Sequence, residues 1–234
     1  SGDSNQKLLL TGEGISIGDH SQFSREIITH QYGPSETVFG NTGTTKFGTA
    51  SIYINGSAGG IIVEQPSGSQ TYNGIHFGAD VDFTMETWVY LPTGNPGFGD
   101  YNTLFHCGDG LVGGTGTFSQ WSIFPNGQLT YYRNSTEVMG AGVQLLSADT
   151  WHHVAFTKEG ADLRMWLDGS VATYSNTGNT NYPAIDTNSI GIGCRRHGAG
   201  SGTHPMKGYL EDFRITIGEC RYSSTFTPPG KLLG

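Results

Sequence analysis

Along residues 83–91 the chain alternates: Phe83, Met85, Thr87, Val89 and Leu91 fall on one side, and Thr84, Glu86, Trp88 and Tyr90 on the other. A period of two marks a β-strand, whose successive side chains point to opposite faces. Large residues on both sides predict a central strand whose outer face is also covered or used. Two hairpins obey the same rule. Residues 118–124 lead through Pro125-Asn126-Gly127 into 128–133, where Asn-Gly predicts a type I′ turn. Residues 152–158 lead through Glu159-Gly160 into 162–167, closed by Asp168-Gly169. Further strands are expected at 8–10, 26–30, 47–54, 61–64, 75–77, 101–107, 189–194 and 209–217. No segment carries a helical period for longer than a turn or two.

Many short strands at regular turn spacing predict an all-β fold, a two-sheet antiparallel sandwich. No proline-rich or charged linker and no solenoid repeat interrupts them, so residues 7–229 read as one domain. Residues 1–6 read as a cloning scar or flexible N-terminus, since Ser1-Gly2 opens the chain without methionine, and 230–234 as a C-terminal tail. A chain of 234 residues buries a substantial core without help from disulfides or metals.

Composition sharpens this picture in three ways. Glycine is abundant at 37 residues, more than double the usual share of about 7%, which suits tight turns between strands. The net charge of −8 argues against sequence-independent nucleic-acid binding, which needs a basic field. No run of about 18 apolar residues spans a membrane as a helix. The three cysteines, Cys107, Cys194 and Cys220, show neither C-x-x-C nor zinc spacing, leaving free thiols or one disulfide open.

Several segments taken in order carry a family resemblance: Leu8-Leu9-Leu10, Lys46-Phe47-Gly48, Asp82-Phe83 through Trp88-Val89, Asp149-Thr150-Trp151-His152-His153, Leu167-Asp168-Gly169, Gly208 through Ile215, and Arg221-Tyr222…Phe226-Thr227-Pro228-Pro229. Together they resemble laminin-G-like members of the concanavalin A-like lectin/glucanase superfamily. The final segment is similar to versions in structural and tail-fibre proteins of bacteriophages, notably marine ones. The resemblance implies a jelly roll over about residues 7 to 229. It leaves function open, because this fold hosts lectins, hydrolases, lyases and scaffolds.

The glucanases of this superfamily resemble one another in placing carboxylates two positions apart on one strand, on the same face, as nucleophile and general acid. Here Asp80, Asp82 and Glu86 have the wrong spacing, and Glu211-Asp212 are adjacent and face opposite ways on a regular strand. Gly-x-Ser-x-Gly and a lyase-like Arg/Gln-His/Tyr set are absent, while a Ser/His/Asp constellation assembled across the fold stays open on sequence alone. No catalytic residues are expected.

Three features are candidates for binding. Arg195, Arg196, His197, His204 and Lys207 crowd a Gly-rich stretch, three of twelve Lys and Arg and two of eight His. Arginine forks there would grip an anionic glycan; the alternative is a solvated loop with ordinary ion pairs. Trp121, Tyr131, Tyr132 and Arg133 lie on one hairpin, where aromatic faces would stack on sugar rings; the alternative is core, at least for one of the two adjacent tyrosines. Trp88, Trp151 and Trp166 read as core. Glu211 is expected on the core face with Phe213, Ile215 and Ile217, where an unpaired carboxylate would be costly. Members of the resembled family often carry a structural calcium near their termini, so Asp19 and Glu211 are its candidate ligands, or else Glu211 caps loop amides. His152-His153, pointing opposite ways, cannot chelate one ion together.

The expected function is a non-catalytic recognition or adhesion domain of a phage virion, binding host-surface carbohydrate. A purely structural capsid-decorating or fibre domain, with virion proteins as partners, and a polysaccharide-degrading enzyme are the alternatives.

Overall fold

The computed structural model describes residues 4–13, 16–21, 28–31, 38–56, 59–64, 75, 77–94, 102–108, 118–134, 136–140, 145–175, 183, 189–197 and 201–230. They form two facing antiparallel sheets, with no helix among them. The nine-stranded sheet runs β14 (Ser170–Ser175), β13 (Asp162–Leu167), β12 (Trp151–Glu159), β7 (Phe83–Tyr90), β18 (Lys207–Ile217), β1 (Gln6–Glu13) and β2 (Ser16–Asp19). β5 (Ser51–Asn55) also joins β18, with β4 (Val38–Asn41) beyond it. The seven-stranded sheet runs β11 (Thr136–Met139), β10 (Leu129–Arg133), β9 (Phe118–Ile123), β8 (Asn102–Gly108), β15 (Ser189–Ile192), β6 (Gly59–Glu64) and β3 (Ile28–Gln31). β16 (Arg195–His197) and β17 (Ser201–Thr203) make a separate ribbon.

The period-2 pattern places the core. From the larger sheet come Leu8, Leu10, Ile52, Ile54, Phe83, Met85, Val89, Val154, Phe156, Phe213 and Ile215; from the other come Ile61, Val63, Phe105, Trp121, Ile123, Tyr131, Ile190 and Ile192. Aromatic edges knit the layers: Phe83 meets Phe77 at 5.1 Å and Phe156 at 5.4 Å, and Phe156 meets Tyr131 at 4.8 Å. Such pairs add about 0.5–1.5 kcal/mol beyond area burial. The three cysteines are free thiols; Cys107 and Cys194 are buried, and burial pushes Cys194 up to about 12.

Both expected hairpins form, but the first turn differs from expectation. Gly127 lies at φ +85° while Asn126 is not at positive φ. Gly127 N donates to Phe124 O at 2.8 Å, and Phe124 N to Gln128 O at 2.9 Å. Flanking a type I′ turn on Asn126-Gly127, Pro125 would have no N–H to give Gln128; the chain instead makes a type I turn with Pro125 and Asn126 at its centre, closed by a left-handed glycine. Asp168-Gly169, at φ +49° and +81°, is the true mirror-image turn, joining β13 to β14. A Gly127→Ala side chain would run into the Leu146 backbone, whose N lies at 3.0 Å. That clash plus left-handed strain should destabilise the fold by about 2 kcal/mol, read as a lower urea midpoint at unchanged m-value. Two further departures occur: residues 47–50 are loop rather than strand, and Ile75 makes only an isolated bridge.

β18 departs from regular alternation at one point, and that departure organises the outer face. Lys207–Leu210 pairs with β5, whereas Phe213–Thr216 pairs with β1. At the fork the register on β7 slips between Glu211 and Arg214, with Asp212 at φ +56°. The extra residue of this bulge puts Glu211 and Arg214 both on the face turned away from the core. Glu211 therefore does not share the face of Phe213, Ile215 and Ile217. It sits opposite Trp88, outside.

Candidate functional site

The outer face of the nine-stranded sheet is built in rows, each row a set of residues in register across strands. Thr216, Thr84 and Thr157 form one; Arg214, Glu86, Ala155 and Trp166 the next; Glu211, Trp88 and His153 the third; Tyr53, Tyr209, Tyr90 and Trp151 the last. What covers each row decides what it can do.

The C-terminal segment 219–229 straps the first two rows and part of the third. Thr84 Oγ1 donates to Glu219 O at 3.1 Å and accepts from Arg221 N at 2.9 Å. Phe226 N bonds Gly169 O at 2.9 Å, and Thr157 Oγ1 donates to Tyr222 O at 3.4 Å. The Tyr222 and Phe226 rings stack at 3.7 Å and 9°, and Phe226 also meets His153 at 5.7 Å and Trp166 at 5.5 Å. The Arg-Tyr…Phe-x-Pro-Pro tail is thus a structural cover.

Beneath the strap, fully buried Glu86 accepts four hydrogen bonds. Arg214 Nε and Nη2 reach Oε1 at 2.9 and 2.6 Å, while His153 Nε2 and Tyr222 Oη reach Oε2 at 3.0 and 2.6 Å. Burial pushes the Glu86 carboxyl upward, but the His153 hydrogen bond and the Arg214 charge outweigh it and hold the group below the usual carboxylate range. The third row is roofed by residues 46–48. Glu211 Oε2 accepts from Lys46 N at 2.7 Å, and Oε1 from Phe47 N and Gly48 N at 2.8 Å each. Phe47 meets Trp88 edge-on at 5.3 Å, and Lys46 Nζ lies 4.2 Å over the Trp88 ring.

The fourth row is left half-open. Tyr53, Tyr209, Tyr90 and Trp151 each retain partial exposure. Their rings are neighbours across β5, β18, β7 and β12, with centroids 4.7 Å apart from Tyr53 to Tyr209 and 5.7 Å at the other two steps. They are tilted by 38° between Tyr53 and Tyr209 and by 56° between Tyr90 and Trp151, and edge-to-face at 79° between Tyr209 and Tyr90. Burial raises the Tyr53 and Tyr90 phenols above their ordinary value, so both stay neutral hydroxyls at physiological pH. At one margin Asp149 accepts from Thr93 N at 2.8 Å, from the Thr93 hydroxyl, and from Tyr90 Oη at 3.4 Å. Those Thr93 bonds hold the exposed Asp149 below the usual carboxylate range.

The residues singled out from sequence are distributed differently. Trp121 and Tyr131 are not sugar-facing: both are fully buried between the sheets, Tyr131 Oη donating to Ser119 Oγ at 3.2 Å. Their parity on the hairpin matches that of Ile123 and Leu129, which aims them inward. Tyr132 and Arg133 are half-buried. Trp88, Trp151 and Trp166, expected in the core, all lie on the outer face; Trp88 and Trp166 are covered there and Trp151 is half-open. Arg195 packs on Phe118, its Cζ 4.4 Å from the ring, and Phe118 stacks in turn on His106 at 5.8 Å. His204 is half-buried at φ +49°, and the side chains of Arg196 and His197 lie outside the described residues.

Both calcium candidates already accept hydrogen bonds from the protein. Asp19 Oδ1 accepts from Leu9 N at 3.2 Å and Ser21 N at 2.9 Å, and Oδ2 from Ser21 Oγ at 3.1 Å. Glu211 caps the loop amides described above. A cavity of about 250 Å³ at the fork of β18 is lined by Leu9, His20, Thr49, Glu211 and Asp212 among others. Among the described residues no three His, Cys, Asp or Glu gather as a metal set, whereas Ca²⁺ takes about six to eight oxygens.

The ring row was missed because register between strands distant in sequence is invisible to a linear reading; alternating Tyr209-x-Glu211 and Trp88-x-Tyr90 gave the faces but not the neighbours. Known structures share the architecture. Domain 4 of AbnA, an extracellular arabinanase from Geobacillus stearothermophilus solved in complex with arabinotriose, superposes with a TM-score of 0.57 at 16% identity, over 94% of this chain and 98% of that one. The botulinum neurotoxin serotype D binding domain gives 0.56 at 14% identity, over 91% and 48%. The serotype C1 binding domain gives 0.55 at 14%, over 98% and 49%. This chain spans about half the length of the neurotoxin binding domains it matches. No curated protein matches it. A laminin-G-type family model matches residues 66–218, and with the two-sheet fold in view the chain belongs to the concanavalin A-like lectin/glucanases superfamily.

Proposed function

We propose that this domain is a non-catalytic carbohydrate-recognition module. The observation that carries the reading is the half-open row of rings and phenols fixed on four adjacent strands: apolar ring faces beside neutral hydroxyls are the chemistry a sugar presents in return. The arabinotriose complex of the AbnA domain, similar over nearly the full length of both chains, supports the same reading. So does the employment of the carboxylates. Glu86 and Glu211 are saturated by structural donors, Asp82 accepts from Gly160 N at 2.8 Å, and Asp168 accepts from His153 N at 2.9 Å. Glu86 and Glu211 are thereby engaged within the fold. Asp168 is part-exposed and also meets His152 Nδ1 at 2.7 Å, whose Nε2 lies 3.0 Å from Ser147 Oγ, an array that the reducing-end assay below addresses. The likeness of the Arg221–Pro229 tail to phage versions supports a place on a virion surface, with host glycan as the partner.

The purified domain should bind at least one class of polysaccharide on a printed array, run once with Ca²⁺ and once with a chelator. It should release no reducing ends from any bound polymer. Silence on the array in both conditions contradicts the reading, and release of reducing ends that is lost on mutating one carboxylate contradicts its non-catalytic part.

A further inference from the structure

We propose that the ring row is a lane for the interior of a linear sugar chain laid across the strands, and not a pocket for a terminal sugar. The proposal rests on the carbohydrate reading and names the ligand class and the site.

The argument starts from dimensions. Four rings on four adjacent strands cover three inter-strand spacings, about 14 Å, the length of a run of about three sugar units. Across the row the surface is narrow, bordered beyond Tyr53 and Tyr209 by the half-exposed pair Asn55 and Lys207. Trp88, two residues earlier on β7, is already covered by Lys46 and Phe47, and on the other margin stand Thr93 and Asp149. Such a strip offers roughly 100 Å², far below the ~800 Å² per partner of a stable protein interface, so a second copy of this chain or another folded protein gains too little there. A thin, extended ligand fits it.

The chemistry selects the ligand further. Ring faces and edges with tyrosine hydroxyls at their tips take apolar C–H faces and exchange hydrogen bonds with sugar hydroxyls. Each ring touches a sugar on one side only, because the row is half-open and nothing described closes over it. A site that reads a terminal sugar surrounds one unit and buries most of it. Here the contact per unit is small and affinity must accumulate along the chain. Asp149 at the Tyr90 margin accepts from a sugar hydroxyl and, being ionised, disfavours a carboxylated or sulfated unit at that end of the row.

The test uses arabinan, xylan, β-glucan and mannan, and, for whichever polymer binds, its oligosaccharides of one to six units titrated calorimetrically. Affinity should rise roughly tenfold or more between one and three units and level off by about five. Tyr90→Ala and Trp151→Ala should each weaken binding of the longest oligosaccharide by roughly tenfold. Tyr90→Phe, which keeps the ring, should lose less. A double Arg195→Ala, Arg196→Ala variant should bind as the parent does.

Equal affinity for the monosaccharide and the hexasaccharide overturns the lane. So does loss of binding in the arginine variant with retention in both ring variants; carbohydrate recognition would then stand at another place. Dissociation of a dimer by Trp151→Ala, seen by sedimentation, overturns it in favour of a second copy as occupant. Failure of every polymer to bind removes the carbohydrate reading itself.

Discussion

Glu86→Ala should destabilise the domain by about 3–5 kcal/mol, lowering its thermal midpoint by about 10 °C. The cost comes less from the lost pair than from what remains. Arg214, with two guanidinium nitrogens on one Glu86 oxygen, and buried His153 and the Tyr222 hydroxyl all lose their acceptor. An uncompensated buried charge is far more expensive than an apolar replacement of the whole pair. A Glu86→Met, Arg214→Met double variant should accordingly recover part of the loss. The same group sets an acid limit. Its folded pKa is depressed, so its contribution is fully present above the unfolded value near ~4.3 and is lost as pH falls through the lower folded value. Urea titrations between pH 7 and pH 2 should show this as a steep fall in stability on the acid side, shallower in Glu86→Gln.

Phe226→Ala should cost about 3 kcal/mol, an unusual sum for a residue in a terminal segment outside any strand. Its ring fills the space between Tyr222, His153 and Trp166, and its amide anchors the strap on Gly169. With that ring gone the strap loses its central contact, and the Tyr222 hydrogen bond to Glu86 is no longer held in place by stacking. Hydrogen exchange should quicken at the Arg221 and Phe226 amides, both hydrogen-bonded in the parent, while β9 and β10 on the far sheet stay protected. Unchanged exchange at those amides would show that the strap is held by its backbone bonds alone.

Much of the fold was legible because its signal is local. Phe83–Leu91 alternates cleanly, and bulky Trp88 and Tyr90 opposite Met85 and Val89 correctly implied a second covered face on β7. The cover itself was not legible. Arg221-Tyr222…Phe226-x-Pro-Pro was visible as a motif, yet only the folded chain shows that its two aromatics close over a carboxylate 136 positions away in sequence. The bulge at Asp212 defeated the face assignment of Glu211, since strict alternation has no means of showing one inserted residue. Tryptophans fared worst. The indole chosen as a ligand contact, Trp121, is core, while Trp151, taken for core, is half-open. Hydrophobicity says that a ring wants cover; which face provides it depends on strand parity and on neighbours from β5, β7 and β18.

The basic stretch teaches a related lesson. Its charge density suggested an exposed anion grip, but Arg195 lies with its Cζ 4.4 Å from the Phe118 ring centre, its Nε buried and without a hydrogen-bond partner among the described residues. Burial lowers its pKa. A guanidinium engaged with a ring is partly spent before any ligand arrives.

The most direct test is a nuclear magnetic resonance titration of the isotopically labelled domain with the longest oligosaccharide that the array selects. The account predicts shifts confined to the Tyr53, Tyr90, Tyr209 and Trp151 rings and to the Thr93 and Asp149 amides, with the strap and residues 195–204 silent. Shifts centred on residues 195–204, with the four rings unmoved, would contradict it.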